Sequence, residues 1–235
     1  MPADEADGLV RAVRAGLAEL GDPVKAPEMR RYMKSEMPFR GVPTPARRRL
    51  ARRVFAEHPL PDRDSLVAAA LRLWREAEFR EERYVAIDLT GHRPYARWQE
   101  ANLLPLYEEL IVSGAWWDYV DEIAIRRVGP LLRAEPDRLR PVMRRWAVDE
   151  DRWRRRAAVI CQVASNQETD LELLAETIEA TIGDHDFFLR KGIGWALRAY
   201  SKTDPDWVGA FVAAHPALSP LSVREALKYV PWPPA

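Results

Sequence analysis

The sequence is poor in cysteine and lacks the usual marks of a secreted or membrane protein. Its 235 residues include a single cysteine, Cys161, so no internal disulfide can form. Cys161 lies in the apolar stretch AAVICQVA, which predicts a buried, inert thiol, because a nucleophilic thiol needs an electropositive, partly exposed site. No apolar run approaches the ~18 residues of a membrane-spanning helix, and the opening MPADEADG lacks the basic-then-apolar order of a signal peptide. We therefore expect a cytoplasmic protein without a membrane partner.

The common catalytic and metal-binding motifs are also missing. There is no phosphate-binding Walker loop and no GxGxxG, and the KGIG at 191–194 is too short to bind phosphate in that way. A zinc site or a Ser–His–Asp or Cys–His arrangement is not indicated, because the histidines are few and scattered. They are His58, His92, His185 and His215. We expect neither a metal nor a cofactor.

Charge is balanced overall but uneven along the chain. Lys plus Arg and Asp plus Glu number 36 each, so net charge alone predicts no polyanionic partner. Residues 39–53 and 144–156 each carry six arginines. One such run is ordinarily a solvated helix face. Two runs interleaved with tryptophan favour a phosphate-binding surface, because arginine suits both bidentate phosphate contact and aromatic stacking.

Helical periodicity dominates the sequence. Apolar residues recur every three or four positions over 70–90, 98–113 and 170–183. No segment alternates over the length of a strand, and hairpin signals are missing. Helix starts are indicated near 61–66, 203–207 and 218–226, where a capping Asp or Ser accompanies Pro or an acid. The prediction is an all-α fold.

A weak internal period predicts how the helices are arranged. Polar residues on comparable helices recur about every 35 residues, at Arg83, Asp121, Arg156 and Lys191, which suits stacked helix pairs of the HEAT type. Such pairs wind into a superhelix, and equivalent positions line its concave face. No Gly- or Ser-rich linker interrupts the chain, so we expect one domain over residues 1–235, acting as a monomer.

A carboxylate, indoles and cations are expected to share that face. Trp117 and Asp121 are four residues apart, so on a helix they lie one turn apart on one side. Trp195 follows Lys191 by four residues and precedes Arg198 by three. One reaction that suits this set is cleavage of a glycosidic bond, because a carboxylate and indole faces both stabilise the positive sugar.

Five stretches of the sequence resemble the AlkD-type alkylation-repair DNA glycosylases. The similarity covers nearly the whole chain in the right order. The stretches are APEMRRYMKSEMPFRGVPTPARRRL (26–50), LIVSGAWWDYVDEI (110–123), DEDRWRRRAAVICQ (149–162), FFLRKGIGWALRAYSKTDPDWV (187–208) and LSPLSVREALKY (218–229).

The resemblance implies a HEAT-like fold and hydrolysis of the N-glycosidic bond of N3-methyladenine and N7-methylguanine in double-stranded DNA. The family's catalytic aspartate falls on Asp121. Its two sugar-facing tryptophans fall on Trp117 and Trp195. Its phosphate-binding arginine falls on Arg156, and Tyr32 matches an aromatic residue near the DNA.

Other positions extend or depart from this pattern. Arg154 and Arg155 are expected to add to the phosphate-binding face. Arg47 and Arg48 either do the same or belong to a solvated face. Pro43 replaces a polar residue that lies close to the DNA in other members, which affects minor contacts and not the reaction.

Two residues next to the expected site are interpreted as structural. Trp116 lies off the face shared by Trp117 and Asp121, so we expect it in the core. Asp118 is expected to make a hydrogen bond within the fold, the alternative being a second carboxylate of the site. Trp74, Trp98, Trp146 and Trp207 are interpreted as packing between helices.

The expected chemistry is economical. An alkylated purine carries a positive charge and leaves as a neutral base, so no general acid is needed. Asp121, with an ordinary pKa of about 3.9, would be ionised unless strongly desolvated. An open groove should suffice, in place of the deep pocket of base-flipping enzymes. The alternative is a non-catalytic HEAT-repeat protein that binds damaged or branched DNA or another protein.

Overall fold

The computed structural model of the chain describes residues 2–230, and over this range the regular elements are helices, with no strand. The predicted all-α class is confirmed. The α-helices are α1 (Pro2–Glu19), α2 (Lys25–Met33), α3 (Thr44–Glu57), α4 (Arg63–Arg75), α5 (Arg80–Thr90), α6 (Leu104–Gly114), α7 (Trp117–Ile123), α8 (Gly129–Ala134), α9 (Pro136–Ala147), α10 (Arg152–Ile160), α11 (Leu171–Thr181), α12 (Phe187–Tyr200), α13 (Pro205–Ala214) and α14 (Pro220–Ala226). Short 3₁₀ turns cover Arg93–Trp98, Ala101–Leu103 and Asn166–Glu168, and a π-helical turn covers Ala124–Val128.

The helices form two compact units, Met1–Gln99 and Glu100–Ala235. In the first, α1 packs against α3, α4 and α5, and α4 packs against α5. Fully buried side chains such as Leu9, Leu66 and Leu89 fill the space between these helices. The predicted single domain over 1–235 stays a prediction.

A buried carboxylate organises the loop between α2 and α3. Glu81 on α5 is fully buried, and its two oxygens accept hydrogen bonds from the backbone N–H groups of Arg40, Gly41 and Val42 at 2.9–3.0 Å. Gly41 has a φ of +83°, and a methyl group there would lie 2.1 Å from the carbonyl oxygen of Asp22. The loop therefore takes its shape from a glycine and from one acid distant in sequence.

The second unit contains a layer of helices that carries most of the predicted site. Helix α10 packs against α7 and α12, and α12 packs in turn against α14. Helices α9 and α11 pack against each other, and α10 contacts both. Asp121, Arg156 and Lys191 of the predicted internal period therefore lie on α7, α10 and α12, which pack side by side, and Arg83 lies on α5 in the first unit.

The capping side chains confirm the helix starts that the sequence predicted. Asp62, Asp204 and Ser219 each accept a hydrogen bond from the backbone N–H three residues later, at 2.7–3.1 Å. The periodic stretch 70–90 divides between two helices, because α4 ends at Arg75 and α5 begins at Arg80.

Cys161 is buried as predicted, and burial raises the pKa of its thiol to about 12. Within residues 2–230, no helix combines the length and apolar character that crossing a bilayer requires.

Replacing Glu81 by Gln should destabilise the protein. The amide oxygen can accept from Gly41 and Val42, but its NH₂ group then faces the N–H of Arg40, which has no other acceptor there. Losing a buried, charge-assisted hydrogen bond costs about 1.5–3 kcal/mol. The free energy of unfolding, measured by urea denaturation, should fall by about that amount.

Glu78→Gln is the matched control, because Glu78 is an exposed acid three residues earlier. An equal free energy of unfolding for the two variants would show that the Glu81 contacts do not hold the loop.

Candidate active site

A bidentate ion pair between α7 and α10 forms the centre of the candidate site. Arg156 donates from Nε to Oδ1 of Asp121 at 2.7 Å and from Nη2 to Oδ2 at 2.8 Å. Fork-to-fork pairing of this kind fixes both position and orientation of the carboxylate. The Asp121 side chain remains 14% exposed, so it keeps some access to solvent.

Arg156 is more deeply buried than its predicted role implies. Its side chain is 4% exposed, and Nη1 donates a third hydrogen bond to the backbone carbonyl of Phe188 on α12. All three guanidinium nitrogens therefore contact the protein itself. Phosphate binding by Arg156 would require these contacts to open, and its geometry favours a role in holding Asp121.

The environment of Asp121 changes its acidity in two opposing ways. Burial raises the pKa of the carboxyl group above its ordinary value, and the nearby charge of Asp118 adds to this. The hydrogen bonds and positive charge of Arg156 lower the pKa and offset part of the burial effect. The net pKa is raised, which makes the ionised group a stronger base than an ordinary aspartate.

The backbone after Asp121 widens into the π-helical turn, which runs directly into α8. Pro130 has no N–H, and its ring would clash with the carbonyl of Arg126 in a regular α-helix. Gly129 approaches the end of α10 so closely that a methyl group there would lie 2.2 Å from the carbonyl oxygen of Cys161. This contact sets α7 and its carboxylate beside α10. Widened turns of this type often occur at functional sites.

The helices on the other side of Arg156 are fixed by caps and by a second glycine. Asp151 accepts from the N–H groups of Trp153 and Arg154 at 2.9 Å, which sets where α10 begins. A methyl group on Gly192 of α12 would lie 3.0 Å from Nη1 of Arg156. The glycine thus leaves space for the guanidinium between the two helices.

The two predicted site tryptophans lie on α7 and α12, the helices that pack against α10. Trp117 begins α7, one turn before Asp121, and is half-buried. Trp195 on α12 is also half-buried and lines a cleft of about 320 Å³. Trp116 packs against Trp153 and Phe188, with ring centroids 6.3 and 5.6 Å away, but it is half-buried and does not lie fully in the core as predicted.

Two predicted DNA-binding residues share one acid. Lys191 Nζ lies 2.6 Å from Oε1 of Glu225, and Arg198 Nη1 lies 2.5 Å from Oε2. Glu225 reaches them because α14 crosses α12 at Gly194, where a methyl group would lie 2.5 Å from the Glu225 Cβ. The pKa of Glu225 is lowered, chiefly by the hydrogen bond from Lys191.

Arg154 and Arg155 are occupied by acidic neighbours. Arg154 pairs with Asp149 at 3.2 Å and with Glu108 at 2.9 Å. Arg155 pairs with Asp184 at 3.0 Å and also donates to backbone carbonyls. Within the second unit these two arginines mainly tie loops to helices, and a phosphate-binding role for them stays a prediction.

The remaining predicted residues lie in the first unit. Tyr32 is 77% exposed on α2, and Pro43 is the N-cap residue of α3. Arg47 is buried, pairs with Asp88 at 3.1 Å and lies over the Tyr84 ring at 4.6 Å. Arg48 is exposed and 3.8 Å from the same carboxylate. The geometry therefore assigns Arg47 to the fold and leaves Arg48 accessible.

Sequence reasoning did not identify the residues that bring the helices together. Gly129, Gly192, Gly194 and Glu225 were outside the predicted site. The signal was available in part, because a Gly–Pro pair and two glycines within helical patterns indicate close approach or a local distortion. No three acidic, histidine or cysteine side chains of residues 2–230 are grouped as metal ligands.

Comparison with known proteins identifies the family. A model of the DNA alkylation repair enzyme family matches residues 13–230. A solved structure described as a predicted DNA alkylation repair enzyme from Enterococcus faecalis is 30% identical. It aligns with 90% of this chain and 97% of that chain at a TM-score of 0.77.

Two proteins from Streptococcus mutans share the fold at 17% identity. AlkD2 aligns with 77% of this chain and 88% of its own at a TM-score of 0.59. The protein smu.31 of strain UA159 aligns with 77% of this chain and 91% of its own, also at 0.59. None of the curated proteins matches the chain. The family match covers both units and every residue of the candidate site, so the chain belongs to the family of DNA alkylation repair enzymes.

Proposed function

We propose that the protein is a DNA glycosylase that hydrolyses the N-glycosidic bond of cationic alkylated purines, such as N3-methyladenine and N7-methylguanine, in duplex DNA. The observation that carries this proposal is the Asp121 carboxylate, held by both oxygens against Arg156 in a partly exposed position one helical turn from Trp117. Family membership supports alkylated DNA as the substrate.

The proposed reaction requires few groups. The bond between C1′ of the sugar and the base nitrogen breaks, and its electron pair returns to the base, which leaves neutral. The sugar becomes positive at C1′, and the ionised Asp121 stabilises that charge electrostatically. A water molecule adds to C1′ and gives its proton to the Asp121 carboxylate, whose raised pKa makes it a suitable acceptor.

The other residues assist in distinct ways. Trp117 and Trp195 present indole faces that stabilise a positive sugar. Arg156 positions the carboxylate and limits the rise of its pKa. Lys191, Arg198 and Tyr32 are proposed to contact the DNA. Duplex DNA with alkylated bases is the proposed partner, and the protein needs no metal or cofactor for these steps.

Asp121→Asn should abolish excision and keep DNA binding. The amide carries no charge to stabilise the sugar and cannot accept the proton from water, so we expect a loss of at least about a hundredfold in single-turnover rate. The assay measures free methylpurine and heat-labile abasic sites released from methylated duplex DNA. Binding of the same duplex is measured by fluorescence anisotropy.

Glu122→Gln is the matched control, because it removes the neighbouring acid on the same helix and should excise at the parental rate. Parental excision by a folded Asp121→Asn protein would refute the mechanism. Binding of methylated DNA by the parent without any release of base would favour the non-catalytic alternative.

Arg156→Lys should change the pH dependence of excision. Lysine keeps the charge but loses bidentate pairing, so the pKa of Asp121 should rise further. Since the ionised form is required, the rate falls as pH falls through that pKa, and the acidic limb of the profile should move to higher pH. Single-turnover rates from pH 5 to 8 measure this shift.

The salt dependence of DNA binding separates the two roles of Arg156. A residue that contacts phosphate lowers the slope of log K against log salt by about one when its charge is removed. Because Arg156 is buried, Arg156→Gln should leave this slope unchanged. A reduced slope with an unshifted pH profile would restore Arg156 as a phosphate ligand.

Excision should be confined to bases that leave as neutral molecules. Uracil placed at the same position in the same duplex carries no positive charge, and the site offers it no general acid. We expect its release to be undetectable under conditions that release N7-methylguanine completely. Comparable rates for the two bases would contradict the proposal.

A further inference from the structure

The cleft next to Trp195 is not explained by the reaction itself. Its volume of about 320 Å³ is at the small end of ligand pockets, which span roughly 300–1,000 Å³. The lining includes Trp195 and Arg198 from α12, Lys202 from the turn after α12, Asn166 from the loop before α11, and Lys228 and Tyr229 after α14. It combines cations with aromatic surface and contains no carboxylate among these residues.

The positive charge in this cleft is only partly neutralised. Glu225 pairs with Lys191 and Arg198. Lys202 and Lys228 are exposed, and neither forms an ion pair with a carboxylate in the described part of the chain. The Lys228 ammonium lies 5.4 Å from the centroid of the Tyr229 ring. The Glu225 carboxylate therefore attracts three cations, Lys191, Arg198 and Lys228, and Lys202 forms no ion pair among the described residues.

The close crossing of α12 and α14 holds Glu225 in position beside Lys191 and Arg198. Gly194 allows the contact, and the Ser222 hydroxyl donates to the carbonyl of Arg190 at 2.9 Å. These contacts fix Glu225 beside Lys191 and Arg198 without help from a ligand. The two lysines at the rim are left to bind an anion from outside.

We propose that this cleft binds a phosphodiester of the DNA strand next to the nucleotide whose base is removed. Arg198, Lys202 and Lys228 contact the phosphate oxygens, and Tyr229, which is 64% exposed, lies against the adjoining sugar. The assignment rests on the proposed function, because DNA is its substrate. Since Trp195 lines the cleft and is also the proposed sugar contact, the anchor and the reaction share one side chain.

Glu225 has a defined place in this proposal. Its carboxylate competes with the phosphate for Arg198 and Lys191 and repels the DNA backbone. It thereby holds both side chains in place before DNA arrives and weakens the affinity for every duplex, damaged or not. A moderate affinity allows the protein to leave undamaged DNA quickly.

The test measures binding of an undamaged duplex by fluorescence anisotropy over a range of KCl concentrations. Lys202→Gln and Lys228→Gln should each weaken binding and lower the salt slope by about one. Glu225→Gln should tighten binding and steepen the slope. Arg224→Gln, which removes an exposed cation from α14 beside Glu225, is the matched control and should bind as the parent does.

Three outcomes decide the matter. Lysine variants with the slope of Arg224→Gln would overturn the assignment, even if Glu225→Gln failed to fold. A second outcome concerns inorganic phosphate, measured at constant ionic strength. If it binds the parent tightly and Lys202→Gln less tightly, while the salt dependence of DNA binding is the same in both, the cleft binds a free anion and the phosphodiester assignment is overturned. Reduced slopes in both lysine variants would support it.

Excision of N7-methylguanine by the same variants separates this inference from the proposed function. If the parent releases no base but the lysine variants bind undamaged DNA less tightly, the proposed glycosylase activity is refuted and the proposed phosphodiester site is supported. If the parent excises N7-methylguanine but the lysine variants show an unchanged salt dependence of DNA binding, the phosphodiester site is refuted and the proposed glycosylase activity is supported.

Discussion

The ion pair between Asp121 and Arg156 is the interaction on which the candidate site depends. It joins α7 to α10, and the third contact of Arg156, to the Phe188 carbonyl, adds α12. Removing one partner of a buried pair costs about 3–5 kcal/mol, because it leaves an uncompensated charge. The same contacts give the carboxylate one orientation while its side chain stays partly exposed, so stability and proposed reactivity come from one arrangement.

The sequence predicted the features that depend on local chemistry. Helical periodicity, the capping residues Asp62, Asp204 and Ser219 and the buried Cys161 all follow from neighbouring residues, and each is confirmed. The recurrence of Asp121 and Arg156 at a repeat interval is matched by α7 and α10, which carry these residues and pack against each other. The active-site assignment itself came from the family resemblance.

The sequence did not predict which charged residues pair across helices. The arginine run at 144–156 predicted a surface for phosphate, yet Arg154 and Arg155 meet Asp149, Glu108 and Asp184. Which acid reaches which arginine depends on how closely two helices approach, and that distance is set by single glycines such as Gly129 and Gly192. The equal numbers of acidic and basic residues in the sequence indicated that many arginines would be paired with acids.

The π-helical turn after α7 has a consequence for reading gaps in aligned relatives. It contains one residue more than a regular turn would, and Gly129 anchors the chain just beyond it. Deleting one residue of 124–128 would remove that extra residue and restore a regular helix, with α7 and α8 keeping close to their present orientation about the helix axis. The aspartate would then still face Arg156, so a homologue one residue shorter here would lack the widened turn and keep the ion pair.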